Sequence, residues 1–136
     1  MTEDPAEVGL LDTSVLVAAE EGRSLRAEAL PASAAISIVT VGELRAGILA
    51  APDVHSRDRR LYTLERISGT TILSVDHRVA QTWAGMRAYL AASGKKVGGN
   101  DLWIAATAAA AEMPVVTQDR AFYVLSGVNG LTVIEV

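Results

Sequence analysis

Four acidic residues stand beside apolar segments of the sequence, in places where a carboxylate could do chemistry. Asp12 ends the stretch VGLL, and Glu43 follows the stretch AISIV by a few residues. Asp101 opens a long apolar run, and Asp119 comes just after the stretch PVVT. Each has an ordinary structural explanation, because Asp caps helices and turns and any acid is favourable in the first turn of a helix. Their shared position beside core-forming segments favours a common role.

Asp12 and Glu43 lie among residues that should pack in a core. A carboxylate in such a place needs a positive partner, or it takes up a proton. No lysine or histidine lies in the segments 8–18 and 35–49, and Arg45 should point to another side of its helix than Glu43. Hard divalent cations prefer carboxylate and water oxygens. Magnesium or manganese is therefore the expected partner.

The elements that would position these acids alternate between strands and helices. Short apolar stretches predict strands, and apolar residues at helical spacing predict helices. The predicted strands cover residues 8–11, 35–39, 71–75, 114–117 and 131–136. The predicted helices cover residues 13–20, 40 or 41 to 50, 54–67, 77–93 and about 100–113, with a short helical piece around 122–125.

This order predicts an α/β fold, a three-layer α/β/α sandwich with a central, mainly parallel sheet of about five strands. Ligands of such sheets bind outside the carboxyl ends of the strands. Asp12, Glu43 and Asp119 should meet at that edge, with Glu43 in the first turn of its helix. We expect one domain over residues 1–136, in which residues 1–7 form a flexible tail.

In the stretch GGNDLWIAATAAAA, at residues 98–111, two polar residues, Asn100 and Asp101, follow the glycines. A single capping residue would be enough to start a helix there. We expect Asn100 to take the N-cap, which leaves Asp101 to point at a ligand. The helix N-terminus should also stabilise Asp101 as an anion. The alanines that follow should let the helix lie close to the sheet.

The composition restricts the kinds of site that the chain can build. It has no cysteine, which excludes disulfides, thiolate metal sites and cysteine nucleophiles, and its two histidines supply a zinc site poorly. The net charge of −4 is a weak argument against a general polyanion-binding surface. The N-terminus is acidic rather than signal-like, and the apolar run at 102–111 is short of the ~20 residues of a membrane span. We expect a soluble, cytoplasmic protein that does not bind membranes.

Four blocks of the sequence resemble the PIN-domain ribonucleases, and within them the VapC toxins of bacterial toxin–antitoxin pairs. The blocks are LLDTSVLVA at 10–18, ISIVTVGELRAGI at 36–48, GNDLWIAATA at 99–108 and VVTQDRAF at 115–122. They occur in the family's order and spread over nearly the whole chain. The resemblance implies a metal-dependent endoribonuclease with a PIN-like fold.

At the matching positions, the resemblance implies that Asp12, Glu43, Asp101 and Asp119 are the catalytic and metal-binding acids. They would hold one or two divalent cations, Mg²⁺ with Mn²⁺ as a substitute. A divalent ion activates water and offsets the charge of the attacked phosphate, and several acids are needed because one carboxylate holds Mg²⁺ weakly.

The resemblance also implies supporting residues. The hydroxyls of Thr13 and Thr117 would hold the acids or a metal-bound water, and Asn100 matches a position that is often polar. The sequence departs from many relatives at two places, where Ala121 replaces a further acid and Gln118 stands in place of arginine or asparagine. The first departure weakens the expectation of a fifth ligand and a second metal.

The partners that the resemblance implies are an RNA substrate, a second copy of the chain in a homodimer, and a VapB-type antitoxin whose C-terminal segment covers the pocket. Basic side chains that could contact RNA phosphates are widely spread, and each is equally well explained as a solvated surface charge. They are Arg45, Lys95, Lys96 and Arg120, with Arg78 and Arg87 as further candidates.

Other functions fit the same fold class. A non-toxin PIN-type nuclease, a DNA-directed nuclease or a phosphatase would use the same acids. A non-catalytic anion-binding module would need a glycine-rich loop after the first strand, where the chain has LLDTSVLV. A receiver-like module would need a lysine late in the chain, and none follows Lys96.

Overall fold

A computed structural model describes residues 7–136, in which short strands alternate with helices. In chain order the elements are β1 (Val8–Leu11), α1 (Thr13–Glu20), β2 (Ser33–Ser37), α2 (Ile38–Leu49), α3 (Val54–Ile67), β3 (Thr71–Leu73), α4 (His77–Ser93), α5 (Gly99–Ala110), β4 (Val115–Thr117) and β5 (Val133–Glu135). Turns of 3₁₀ helix occur at Ala27–Ala29, Arg120–Leu125 and Val128–Gly130.

The strands form one five-stranded parallel sheet in the order β3-β2-β1-β4-β5. β1 is the central strand and pairs with β2 on one side and β4 on the other. The chain adds β2 and β3 on one side of β1, and β4 and β5 on the other. The carboxyl ends of β1, β2 and β4 therefore lie next to one another. The prediction of a mainly parallel sheet of about five strands is confirmed.

Consecutive strand residues face opposite layers of the protein. Leu10 and Val115 pack in the cluster that includes residues of α4 and α5, whereas Leu11 and Val116 pack with Val15 of α1 on the other face. This alternation is the pleat of a strand that is buried on both sides. Helices thus cover both faces of the sheet, which confirms the three-layer arrangement.

Several boundaries differ from the prediction by a few residues. β2 ends at Ser37, because the Ser37 side chain accepts a hydrogen bond from Val39 N and so starts α2 at Ile38. α5 ends at Ala110 rather than near residue 113, because Glu112 adopts a left-handed conformation with φ 57°. β3 and β5 are each shorter than predicted, at three residues.

Glu112 terminates α5 in a conformation that usually belongs to glycine. Met113 N donates to Ala108 O and Glu112 N to Ala109 O, so the turn closes the helix. A side chain in this region is strained, and glycine is not. We expect Glu112→Gly to raise the free energy of unfolding by about 0.5–1 kcal/mol in urea titrations. Ala111→Gly, at a right-handed φ of −87°, should give no gain, and an equal gain would contradict this explanation.

The predicted tail covers residues 1–7, and its residues 1–6 lie outside the described part of the chain. Glu7 is described, and its carbonyl accepts a hydrogen bond of 2.8 Å from Ser33 N. None of the helices between residues 7 and 136 combines the length and apolar character that crossing a bilayer requires.

Candidate functional site

The four predicted acids come from four different elements near the carboxyl edge of the sheet. Asp12 directly follows β1, and Asp119 lies two residues beyond β4. Asp101 is in the first turn of α5. Glu43 is in the second turn of α2 rather than the first, because that helix begins earlier than predicted, at Ile38. The helix N-terminus therefore does little to stabilise the Glu43 carboxylate.

The electrostatics of Asp101 show that the four carboxylates are close enough to act on one another. Burial, followed in order of size by the negative charges of Asp12, Asp119 and Glu43, raises the pKa of Asp101 from an ordinary 3.8 to about 6. The expectation that the helix N-terminus keeps Asp101 readily ionised is wrong, because desolvation and three like charges outweigh the helix dipole.

Asp12 is held by two hydroxyl groups and does not act as a helix cap. It is 2% exposed, and its side chain makes no capping hydrogen bond to α1. Ser14 Oγ and Thr117 Oγ1 both donate to Asp12 Oδ2, at 2.5 and 2.7 Å. The carboxylate is thus oriented through one of its two oxygens.

The loop after β4 in turn fixes those hydroxyl groups. Asp119 N donates to Thr117 Oγ1 at 2.8 Å, and Gln118 N donates to Ser14 Oγ at 3.0 Å. Each hydroxyl therefore accepts from the backbone and donates to Asp12. The predicted contact of Thr117 with an acid is present. Ser14 is absent from the predicted set, although a hydroxyl two residues after an acid in the stretch DTS was the available signal.

A second hydroxyl pair holds Glu43. Thr13 Oγ1 donates to Glu43 Oε1 at 2.7 Å and lies 3.0 Å from Thr40 Oγ1. Thr40 is buried one helical turn before Glu43. Thr13 does hold an acid, as predicted, and Thr40 is a second residue that the prediction lacks. These contacts join the start of α1 to α2 beneath the site.

Asp119 and Asn100 behave differently from Asp12 and Glu43. Asp119 Oδ1 accepts a hydrogen bond of 2.9 Å from Ala121 N, so this residue also serves as an ordinary turn cap. Asn100 is exposed and does not cap α5, contrary to expectation. The N-cap is Gly98, whose carbonyl accepts from Leu102 N at 2.9 Å, so the helix begins before Asn100.

The candidate basic side chains lie at the protein surface. Arg45, Arg78, Arg87, Lys95 and Lys96 are all exposed. Arg120 pairs with Glu135 at 3.4 Å. In the part of the chain that the structure describes, no ion pair joins a basic side chain to any of the four acids. Within the described residues, the four carboxylates are therefore not neutralised by ion pairs.

The donor set fits a hard, hydrated cation. Within residues 7–136, no group of three or more histidine, aspartate or glutamate side chains is arranged closely enough to hold a metal ion directly. Mg²⁺ keeps several waters and binds through one or two carboxylates directly, so the acids need only surround it. Carboxylates whose mutual repulsion raises the pKa of Asp101 provide that environment.

Thr117 should be essential for the geometry of Asp12. Thr117→Val leaves Asp12 Oδ2 with one donor and Asp119 N without its acceptor, in a fully buried place. We expect the free energy of unfolding to fall by about 2 kcal/mol in urea titrations. Thr117→Ser, which keeps the hydroxyl, should restore most of it. Equal stability of the two variants would contradict this role.

Comparisons with known proteins identify the family. The PIN-domain family pattern matches residues 9–128. Ribonuclease VapC5 of Mycobacterium tuberculosis is 46% identical over the whole length of both chains. Ribonuclease VapC4 of the same organism is 35% identical over 91% of this chain and 95% of its own.

A solved structure agrees with this assignment. The crystal structure of VapBC-5, a member of the VapBC family of toxin–antitoxin systems from M. tuberculosis, matches with a TM-score of 0.90 and 42% identity. The match covers 96% of this chain and 99% of that one. The sequence pattern, the parallel sheet and the full-length similarity agree, and the chain belongs to the PIN-domain family, among the VapC ribonucleases.

Proposed function

We propose that this protein is the toxin of a VapBC-type pair, a metal-dependent endoribonuclease that hydrolyses RNA phosphodiester bonds in the cytoplasm. The observation that carries the proposal is a set of four carboxylates in which the charges of Asp12, Asp119 and Glu43 act on Asp101, and none of which forms an ion pair within residues 7–136. Carboxylates grouped in this way can hold a divalent ion. Full-length similarity to named ribonucleases supports RNA as the substrate.

We assign the ion to Asp12, Glu43, Asp101 and Asp119, with Mg²⁺ as the resident metal and Mn²⁺ as its substitute. When bound, a divalent ion lowers the pKa of a water molecule and offsets the negative charge on the attacked phosphate. The acids themselves are not nucleophiles in this proposal. Their task is to bring the ion to one place at the sheet edge.

The hydroxyl residues prepare the acids for that task. Because Ser14 and Thr117 both bind Asp12 Oδ2, the other oxygen, Oδ1, is the one that we assign to the ion. Thr13 restricts Glu43 in the same way through Oε1. Fixed carboxylates lose little conformational freedom when a ligand binds, which is the advantage of a preorganised site.

Asp101 is the acid whose protonation changes most readily near neutral pH. With a pKa of about 6, its carboxylate holds a proton in a sizeable fraction of molecules just below neutrality. A cation favours the ionised form, so metal binding releases that proton. Asn100 is exposed next to Asp101 in the chain, and we assign it a supporting role in contact with the RNA.

A cleft lined by apolar residues and by the charged Glu20, Arg59 and Arg66 supports a protein partner. It encloses about 340 Å³ between α1 and α3, and its walls include Leu11, Val15, Leu16, Tyr62 and Ile67. Leu11 immediately precedes Asp12 in the chain, so a peptide in the cleft would pass next to the site. We propose that a VapB-type antitoxin binds there and covers the acids.

Exposed apolar residues support the predicted homodimer. Ile38 and Leu49 on α2 and Val54 at the start of α3 are 44%, 86% and 74% exposed. Large apolar side chains exposed close together along the chain often mark protein interfaces. We propose that α2 and the turn that follows it take part in self-association.

Cleavage assays with and without metal test the enzymatic proposal. Protein freed of its antitoxin should cut single-stranded RNA with Mg²⁺ or Mn²⁺ and lose all activity in excess EDTA. A DNA strand of the same sequence and a phosphomonoester should remain intact, which separates the proposal from a DNA nuclease and a phosphatase. Cleavage that persists in EDTA would overturn it, as would preferential attack on either control substrate.

A further inference from the structure

A basic cavity lies at the segment that leads into α5, the helix that carries Asp101, and none of the four acids lines it. It encloses about 410 Å³ between the last turns of α4 and the segment that leads into α5. Arg87, Lys95 and Lys96 line it together with small and apolar residues, and its lining contains no acid. Among the described residues, the ion pairs are Arg23–Glu21 and Arg120–Glu135, so the three cations of this cavity have no carboxylate partner.

The cavity and the acids are joined by a very short piece of chain. Gly98 ends the segment, and a Cβ built on it would lie 3.6 Å from Asp101 Oδ2. Lys96 is two residues before Gly98, so their Cα atoms are at most about 7 Å apart. If an RNA strand reaches Asp101, nucleotides one or two positions away along the strand are therefore close to these lysines.

The local structure holds the cavity in shape. Gly94 has a φ of 67°, a left-handed conformation that ends α4 and turns the chain sharply. Lys95 Nζ lies 3.3 Å from Tyr89 Oη and 5.7 Å from the centre of that ring. These contacts restrict Lys95, so less side-chain entropy is lost when it binds an anion.

We infer that this cavity binds the backbone phosphates of the RNA strand next to the bond that is cut. The inference rests on the proposed function. An acidic site repels a polyanion, so substrate binding needs cations within a nucleotide or two of the acids, and Arg87, Lys95 and Lys96 are placed to supply them. Contacts to phosphate hold the strand in register and carry no sequence information.

The test uses the full-length protein with Lys95→Ala/Lys96→Ala, and separately with Arg87→Ala. We expect KM for single-stranded RNA to rise roughly tenfold in the double variant while kcat changes less than about twofold, because phosphate contacts bind substrate and transition state alike. The dependence of log affinity on log salt should become shallower by about 0.7 for each lost phosphate contact.

The matched control is Arg26→Ala/Arg57→Ala, which removes the same charge from two exposed residues. Arg26 precedes the 3₁₀ turn at Ala27–Ala29 and Arg57 lies on α3, and neither lines the cavity. This variant should keep the wild-type KM and most of the salt dependence. Equal effects of the two double variants would overturn the inference, since net charge alone would then explain them.

RNA binding measured by fluorescence anisotropy in EDTA separates this inference from the proposed function. If the wild type binds labelled RNA and the lysine variant binds it more weakly than the control, the cavity is a phosphate site even where no cleavage occurs. If cleavage is normal and the lysine variant binds like the control, the cavity assignment is wrong and the enzymatic proposal stands. Lysines that only stabilise the end of α4 would lower the free energy of unfolding without changing RNA affinity.

Discussion

Asp12→Asn should reduce RNA cleavage by at least about a thousandfold and leave the protein folded. The substitution preserves the size of a side chain that is 2% exposed, but it removes the charge that would hold the ion. It also replaces an anionic acceptor of two hydroxyl hydrogen bonds with a neutral one. Single-turnover cleavage rates and circular dichroism spectra would measure the two parts of this prediction.

Asp58→Asn is the matched control for that variant. Asp58 is an exposed acid on α3, so the substitution removes the same charge from the surface. It should cleave RNA at the wild-type rate. If the Asp12→Asn protein were folded and fully active, Asp12 would not belong to the site. The proposal would then lose the most deeply buried of its four ligands.

Asp101→Asn should abolish binding of the metal and at the same time stabilise the metal-free protein at neutral pH. The folded protein raises the pKa of Asp101 to about 6, whereas the unfolded chain has the ordinary value of 3.8. Between these values the folded state binds more protons than the unfolded state, so stability falls as the pH rises. The loss of stability caused by ionised Asp101 is absent below the unfolded pKa of 3.8 and fully present above the folded pKa of about 6.

The size of the expected gain in the free energy of unfolding follows from the shift in the pKa of Asp101. Two pKa units correspond to about 3 kcal/mol, which solvent screening of a half-exposed group reduces to about 1 kcal/mol. Urea titrations in EDTA should therefore show Asp101→Asn more stable than wild type at pH 7.5 and equal to it near pH 4. A gain of the same size at both pH values would show that repulsion among carboxylates is not its cause, and Asp58→Asn should show no gain at either.

The sheet and the positions of the acids could be predicted because they depend on local patterns. Short apolar strands followed by polar turns identified β1 and β4, and the geometry of parallel sheets places their carboxyl ends at one edge. Asp12 and Asp119 follow from that rule directly. Glu43 and Asp101 lie on helices, and their positions beside apolar segments made them candidates before the family motifs implied their role.

The hydroxyl network could not be predicted from sequence spacing in the same way. Ser14 and Thr117 are 103 residues apart and meet only because β1 pairs with β4. Thr13 and Thr40 meet through the packing of two helices on the sheet. Contacts of this kind depend on side-chain directions in the assembled fold, which local periodicity does not specify.

The raised pKa of Asp101 has the same origin. A helix N-terminus considered alone predicts an easily ionised acid. The opposite result requires burial and three further carboxylates from separate elements, and these come together only in the folded chain. The start of α5 at Gly99 likewise depends on the turn at Gly98 rather than on Asn100, the more obvious capping residue.

Calorimetric titration of Mn²⁺ or Mg²⁺ into metal-free protein tests the central proposal, joint binding of a divalent ion by these acids, most directly. At pH 6 we expect saturable binding with a heat that varies with the ionisation enthalpy of the buffer, because Asp101 gives up its proton. The stoichiometry should be close to one ion per chain, since Ala121 offers no fifth carboxylate. Binding should vanish in Asp12→Asn and Asp101→Asn and persist in Asp58→Asn. Titrations without saturable heat, or with the same affinity in all four proteins, would contradict the proposed site.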